Sequence, residues 1–516
     1  MSQTGASSAE LVAALRRVAR PVGAVTGGMA AFMLLCAFSG VLMEVSGYHR
    51  LVDEGGTEAM WIASIVTFGA AALLWRAGLE IEEQRGLSRR DATLAVALIW
   101  FGAGLFGGLP FVLGAGLSPA DAFFEAASGF TTTGATILAD IEGTLSRPLL
   151  LWRSLIQWLG GMGVVVLFVA VFPNLGVGGK HMFRSEVPGP TAEGLVPRIR
   201  ETSIVLWGIY AALTALEFVV LWVLGALITP SPGAVRMDVF QAVCHALTTM
   251  STGGFSPLNA SVAGFQSPLI EVVISAFMLV GGVNYALYHG LLTTRSWRGM
   301  FRSGEFRMYV VIVSVSVLLL TLLLVSHHEQ HPWQALRYAL FQVASMVTST
   351  GYVTDDYMAY PAPGLGLLLV IMFVGAMSGS TAGGIKVSRI LLLGKTTWAQ
   401  IRRSVRPSVV VSVRMSRKTV PQPVLTEVAV FFFVYMLVLM FGVLLVAYTD
   451  GTPLPTGFGA MLTTLSNMGP APFYLEADHF AAYSDVAKLW FAFAMILGRL
   501  EFFTLLALLL PDFWSR

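Results

Sequence analysis

The stretch SGFTTTGATIL (128–138) lies between two long apolar segments and is too rich in hydroxyls and glycine to belong to either. Its pattern recurs at TTMSTGGFS (248–256), VTSTGYV (347–353) and LSNMGPAP (465–472). Each copy follows a short, helix-like stretch and precedes another apolar run. Aligned on their glycines, the loops pair Gly134, Gly253, Gly351 and Gly469, at intervals of 119, 98 and 118 residues. Repetition at that scale is architectural.

The surrounding chain is apolar. Of 516 residues 55% are hydrophobic and 12% charged, about half the charge of an average soluble domain, and the mean hydropathy is +0.73. The fold class that follows is an all-α polytopic membrane protein. Cys36 and Cys244, the two cysteines, both lie in apolar stretches, so neither a disulfide framework nor a CxxC metal site is implied. Arg16, Arg17 and Arg20 precede an apolar run at 21–43 with no small-residue cleavage site, which reads as an anchor rather than a removed signal.

In order, spans are expected at 21–44 and 58–76, then a charged loop, then 29 uncharged residues at 92–120. Ser118-Pro119-Ala120-Asp121 is a helix start: Ser caps, Pro tolerates the first turn, and Asp favours the positive end of the dipole. The helix it opens, 121–128, is too short to span and ends in the TTTGAT loop. A span at 149–172 follows. The same unit (span, short re-entrant helix, loop, span) is expected three more times. Its spans are 202–228 with 270–292, 308–326 with 364–393, and 428–449 with 486–510. The short helices are 238–250, 332–347 and 455–465. The domain reading is 1–90 for two N-terminal spans, and then 91–200, 201–304, 305–418 and 419–516 for the four units, the third with a broken second helix.

Basic residues orient this array. Twenty-five of the 32 Lys and Arg fall in one alternating set of segments, which the positive-inside rule makes cytoplasmic. Both termini are then inside, ten spans satisfy the parity, and all four loops lie on the outer side. Backbone in a bilayer must be satisfied internally or line a wet cavity. Glycine lets carbonyl oxygens turn towards an axis, Thr and Ser add uncharged oxygens, and each short helix aims the negative end of its dipole at the ring. Rings of carbonyls that replace a hydration shell select cations. Thr132 and Thr133 are expected oxygen donors, and Asp140, Glu142, Asp355, Asp356, Glu476 and Asp478 lie near the expected outer mouth.

Catalytic motifs are missing. His328-Glu329-Gln330-His331 is one residue short of HExxH, and neither GxSxG nor GxxxxGK[ST] occurs. No enzymatic activity, tightly bound cofactor or nucleic-acid partner is expected.

The stretches FFEAASGFTTTGAT (123–136), WRSLIQWLGGMGVVVL (152–167), STGGF (251–255), GGVNYALYHG (281–290), GSTAGGIKVSR (379–389) and GRLEFFTLLALLLPDFW (498–514) closely resemble the membrane subunit of the Trk/Ktr/HKT potassium-transporter superfamily. The two additional N-terminal spans resemble the TrkH type. The resemblance implies two N-terminal spans plus four helix–pore loop–helix units in pseudo-fourfold symmetry around one pore. It also implies a homodimer in the bacterial inner membrane and a cytosolic nucleotide-binding TrkA/KtrA-like regulatory ring; read from residues alone, the nine basic residues of 386–418 instead hold topology and touch anionic membrane lipid. It implies an ion-binding filter of Thr132, Thr133, Gly134, Thr252, Gly253, Thr350, Gly351, Asn467, Met468 and Gly469. K+ would sit at the carbonyls of Thr133, Thr252, Thr350 and Met468. Plant relatives with Ser at the first glycine pass sodium; four glycines here favour potassium.

Ala471 and Tyr352-Val353 depart from the usual pattern and bear on fine selectivity. MSGSTAGG (377–384) interrupts an apolar run with residues that make a poor helix interior. Read from residues alone it is either a break or a close-packing seam; the resemblance makes Gly379, Ser380, Thr381, Ala382, Gly383 and Gly384 an intramembrane gate, flanked by Lys386. Arg499, close to Glu501, is either a structural pair or, as the resemblance implies, a barrier under the filter. Glu217 is expected to make an interhelical contact. The expected function is potassium uptake, with a sodium or mixed transporter, or a non-conducting sensor, as alternatives.

Overall fold

The computed structural model describes residues 8–45, 55–78, 88–163, 199–328, 331–415, 418–473, 479–500 and 502–514. Among these, six helices are long and apolar enough to cross a bilayer: Leu11–Val45, Gly56–Ala77, Arg90–Ala115, Glu201–Leu227, Gly304–His327 and Gln422–Asp450. Helix is the form such sequences must take, because it satisfies every backbone group within the segment where no water can. Large apolar side chains such as Leu42, Leu73, Leu105, Leu227, Leu318 and Leu444 point outwards, as expected where lipid is the solvent.

The first two helices form a hairpin against unit one. Gly23 lets them approach: a Cβ there would lie 2.9 Å from Ala71 O and Trp75 N. Arg17 reaches Asp91 at the start of the third helix, Nε to Oδ1 3.0 Å.

Four units follow, each with a lead helix, a re-entrant helix, a loop and a return helix. The lead helices are Arg89–Ala115, Ile199–Leu227, Gly304–His328 and Gln422–Asp450. The re-entrant helices are Pro119–Phe130, Val239–Met250, Pro332–Val347 and Leu454–Ser466, each too short for a hydrocarbon core of about 30 Å. Their starts are chemically marked. Ser118 and Asp238 accept from the backbone N–H of Asp121 and Gln241, and His331 from that of Trp333. Pro455 opens the fourth.

The return helices are Arg147–Gly161, Pro268–Gly281, Ala362–Val374 and Asp485–Leu500. The sequence leads one to expect a break in unit three alone. The structure shows breaks in units two and four as well. Pro268–Gly281 meets Tyr285–Thr294 at 88°, and Asp485–Leu500 meets Phe502–Leu509 at 113°. In unit two Asn284 caps the new helix by accepting from Ala286 N, and the Gly282 carbonyl turns to accept from Met377 N in unit three at 3.1 Å. Composition concealed this break because both arms are apolar. The continuation of unit one beyond 163, the basic segment up to residue 198, Glu476, Asp478 and Glu501 lie outside the described residues.

Ion pairs join consecutive units. Glu271 on the unit-two return helix meets Arg337 on the unit-three re-entrant helix at 3.3 Å. Lys488 on the unit-four return helix meets Asp121 on the unit-one re-entrant helix at 2.6 Å. The arrangement thus closes from unit four back to unit one.

Candidate ion pathway

The four re-entrant helices end alike. A residue with positive φ follows each: Thr132 (55°), Thr252 (53°), Ser349 (54°) and Asn467 (53°). For the β-branched threonines this conformation is strained. The next residue donates its N–H back into the helix, from Thr133 to Ser128 O, Gly253 to Thr248 O, Thr350 to Ser345 O and Met468 to Thr463 O, at 2.9–3.0 Å. One residue further on come Gly134 (φ 81°), Gly254 (75°), Gly351 (83°) and Gly469.

This corrects the sequence alignment in loop two. Gly254, not Gly253, is the counterpart of Gly134, Gly351 and Gly469. Gly253 stands level with Thr133, Thr350 and Met468, and Thr252 level with Thr132. The carbonyl expected at Thr252 therefore moves to Gly253. The STGG doublet offers two glycines to an alignment by letters; torsion and the turn hydrogen bond choose the second.

The glycines touch in a ring. A Cβ on Gly134 would fall on the Gly253 carbonyl, and one on Gly254 on the Thr350 carbonyl. A Cβ on Gly351 would lie 2.9 Å from Gly469 N, and one on Gly469 2.8 Å from Gly134 O. Each loop thus abuts the next, and the fourth abuts the first. All the predicted hydroxyls here are buried and engaged. Thr131 Oγ1 pairs with Thr133 Oγ1 at 2.7 Å, Thr348 with Thr350 at 2.7 Å, and Asn467 Nδ2 donates to Thr133 Oγ1 at 3.1 Å and Met495 O at 2.8 Å. Carbonyl oxygens, each with two lone pairs, are what the ring has left to offer an ion.

Behind the ring lies a polar scaffold that the sequence reading passed over. Glu125 is fully buried, 2.7 Å from Arg153 Nε, and accepts from Thr136 Oγ1 and Ile137 N. Arg153 also donates to Ser256 O at 3.0 Å and lies 3.5 Å from the Phe255 ring centroid. His245, at the same helix position in unit two, contacts Gln241 O through Nδ1 and Ser256 Oγ through Nε2. Gln157 holds loop two directly. The available signal was a Glu and an Arg in otherwise apolar runs, since intramembrane charges come with partners.

Beneath the ring, residues 375–386 separate Ala362–Val374 from Val387–Val405. Gly375, Gly379, Gly384 and Lys386 have positive φ, which no helix accommodates. Gly383 N donates to Ser349 Oγ at 2.6 Å and Gly384 N to Ser466 O at 2.9 Å. Thr381 Oγ1 shares its one proton between Met250 O (3.1 Å) and Gly281 O (3.2 Å), and receives from Thr252 Oγ1. Ser380 Oγ donates to Met377 O, Gly379 O accepts from Tyr285 N, and Lys386 Nζ donates to Ala382 O at 2.5 Å. Arg499 spans from Thr381 O (2.8 Å) to Gly160 O (2.6 Å) and Gly161 O (2.7 Å). The segment and Arg499 together touch the loop bases or return helices of all four units.

Asp140 and Glu142 tie loops one and two together. Asp140 Oδ1 accepts from Asn259 Nδ2 and Gly143 N, and Glu142 Oε1 accepts from Asn259 N. The Asn259 amide and the Gly143 N–H hold the Asp140 carboxyl below the usual carboxylate range. Glu217 is buried, with the Thr249 hydroxyl beside it. Among the described residues no group of three His, Cys, Asp or Glu could hold a metal ion.

The TrkH model, described as a cation transport protein, matches residues 58–512. The chain belongs to the TrkH family. The Trk system potassium uptake protein TrkH of Escherichia coli K12 is 38% identical over 489 residues, 94% of this chain and 98% of that one. The protein of that name from Vibrio parahaemolyticus is 35% identical over 488 residues, 93% and 97% of the two chains. The crystal structure of the potassium transporter TrkH from Vibrio parahaemolyticus superposes with a TM-score of 0.84 at 33% identity, covering 97% of this chain and 99% of that one. The ring of four loops, two N-terminal spans and broken return helices described above are thus a TrkH-type multi-pass fold.

Proposed function

We propose that this protein carries potassium into the cell through the four-loop ring. The observation that carries the reading is the closed cycle of glycines, each packed on the next loop's backbone. It leaves the carbonyls of Thr133, Thr350 and Met468, those of Gly134, Gly254, Gly351 and Gly469, and the second lone pair of Gly253 O, whose first accepts from Gln157 Nε2, to replace the water around a dehydrated ion. Four helix C-termini supply the negative end of their dipoles. The potassium uptake named for the relatives supports the choice of ion.

Residues 379–384 and Arg499 form the closed gate of this pathway. The guanidinium places a fixed positive charge on the cytoplasmic side of the ring, where a cation's energy rises steeply in a low-dielectric path. Opening requires its bonds to Thr381, Gly160 and Gly161 to release together. The basic segment 386–418, which includes Arg402 and Arg403 in the last turn of Val387–Val405, faces the cytoplasm of the inner membrane with both termini. It is the docking face for a TrkA/KtrA-like ring, and the working unit is a homodimer.

Growth of a strain lacking its own uptake systems at low potassium, together with potassium flux under sodium competition, tests this. Rescue and preferential potassium flux are expected, and Gly134→Ser should loosen the preference. Equal potassium and sodium flux in the unmodified protein would defeat the reading in favour of a mixed transporter. Correctly inserted protein that gives no rescue would point to a sensor.

A further inference from the structure

Three of the four loops are closed by their own re-entrant helix. Ser128 Oγ donates to Ala135 O at 2.5 Å, Ser345 Oγ to Tyr352 O at 2.7 Å, and Thr463 Oγ1 to Pro470 O at 3.1 Å. Each strap runs from the same helix position to the carbonyl just past the ring glycine. In loop two the residue at that position is Thr248. Its hydroxyl is diverted: it donates to Cys244 O at 2.8 Å and pairs with the Tyr352 hydroxyl at 2.5 Å.

Loop two is closed from the neighbouring unit instead. Gln157, fully buried on the unit-one return helix, donates through Nε2 to Gly253 O at 2.7 Å and accepts through Oε1 from Phe255 N at 3.0 Å. The two bonds straddle Gly254. They also fix the amide orientation, since the flipped form would set donor against donor and acceptor against acceptor. Gln157 is the eleventh residue of its return helix. The eleventh residues of the other three are Met278, Met372 and Met495, all buried.

The ring position that Gln157 faces is exceptional too. It is Gly253, where the other loops carry Thr133, Thr350 and Met468. Space explains the pairing: a Cβ on Gly253 would lie 2.5 Å from Gln157 Oε1 and 2.8 Å from Nε2. One side chain has taken the volume of the other.

We propose that Gln157 is a specificity-determining positioning residue of the ring, and that Gln157 with Gly253 is a matched exchange for the Met-plus-side-chain arrangement of the other three units. This rests on reading the ring as a potassium filter. Selectivity needs carbonyls held to a fraction of an ångström, and loop two lacks the local strap that holds the others.

The test is a double-mutant cycle in proteoliposomes, read as the potassium-to-sodium flux ratio. Gln157→Met leaves loop two without closure, and Gly253→Thr collides with Gln157. Each should lower the ratio roughly tenfold, the effect of leaving a buried group unpaired. The double variant recreates the Met-plus-side-chain packing of the other units but not their strap, since Thr248 still pairs with Tyr352, and should recover the ratio in part, to about threefold below that of the unmodified protein. If Gln157→Met does not reach the membrane, recovery of Gly253→Thr by the double variant carries the test. An unchanged ratio in Gln157→Met, or a double variant no better than the worse single, overturns the proposal. Unmodified protein that does not prefer potassium withdraws the filter reading itself, and that result is seen before any variant is made.

Discussion

At Gly254 the backbone takes φ 75°, and a side chain would meet the Thr350 carbonyl. Gly233, between the lead and re-entrant helices of the same unit, takes φ 84° with nothing within 4 Å of a built Cβ. The pair separates torsional strain from ring geometry. Both Ala substitutions carry the strain of a left-handed residue, about 1 kcal/mol. Gly254→Ala should in addition displace loop three and lower potassium flux by tenfold or more, roughly what a 1.4 kcal/mol change in barrier gives. Gly233→Ala should show the stability loss with normal flux. Equal flux in the two would mean that the ring contact contributes nothing. The choice of Gly254 was invisible in the letters STGG, since either glycine gives a tidy alignment. By contrast Gly134, Gly351 and Gly469 were legible, because each is the lone glycine after the hydroxyl or amide residues that end its short helix.

Among the elements, the re-entrant helices were the most legible. Ser118, Asp238 and the prolines mark their starts by simple capping chemistry, and their length forbids spanning. The return helices were not. Hydropathy sees an unbroken apolar run through Gly282-Val283-Asn284, where the chain turns by 88°, because both arms contact apolar surroundings and only their direction differs. Glu125 and Arg153 were likewise hidden, since pairing between elements leaves no trace in local sequence. The segment 379–384 was legible as a weak helix, yet its fastening to other elements was not. Arg499 is the strongest of these fastenings, with three carbonyls on one guanidinium. Arg499→Ala removes all three and the charge, and should raise unstimulated potassium flux by about tenfold or more, the equivalent of at least one charge-assisted bond. Arg499→Lys keeps the charge but cannot fork to the same acceptors, and should fall between. Flux measured without any cytosolic partner decides it; unchanged or lower flux in properly inserted Arg499→Ala would remove the gate role.

At the scale of the whole molecule, four similar units must assemble in one cyclic order, and similarity makes wrong neighbours a hazard. The inter-unit contacts differ from junction to junction. From unit two to three the return helix offers the acid, Glu271, and the re-entrant helix the base, Arg337. From unit four to one the polarity is reversed, with Lys488 on the return helix and Asp121 on the re-entrant helix. Mispairing these two junctions sets like charges together, so the reversal opposes the wrong order as well as favouring the right one. Lys488→Glu creates such a like-charge contact at a mostly buried position, and should cost about 2 kcal/mol, the scale of losing a charge-assisted bond. Reversing the pair with Asp121→Lys and Lys488→Asp together gives this junction the polarity of the other. It should regain part of the thermal stability lost by the single change, because the ion pair is restored while a Lys in the first turn of Pro119–Phe130 loses the favourable dipole contact of Asp121, about 0.3–1 kcal/mol. Assembly should nevertheless suffer, since the two junctions then no longer differ. The expected signature is a melting temperature between those of the unmodified protein and Lys488→Glu, combined with a lower yield of membrane-inserted, monodisperse protein. A reversed pair with full yield would mean that charge order plays no part in the arrangement of the units. A reversed pair melting no higher than Lys488→Glu would mean that the ion pair is not what holds units four and one together.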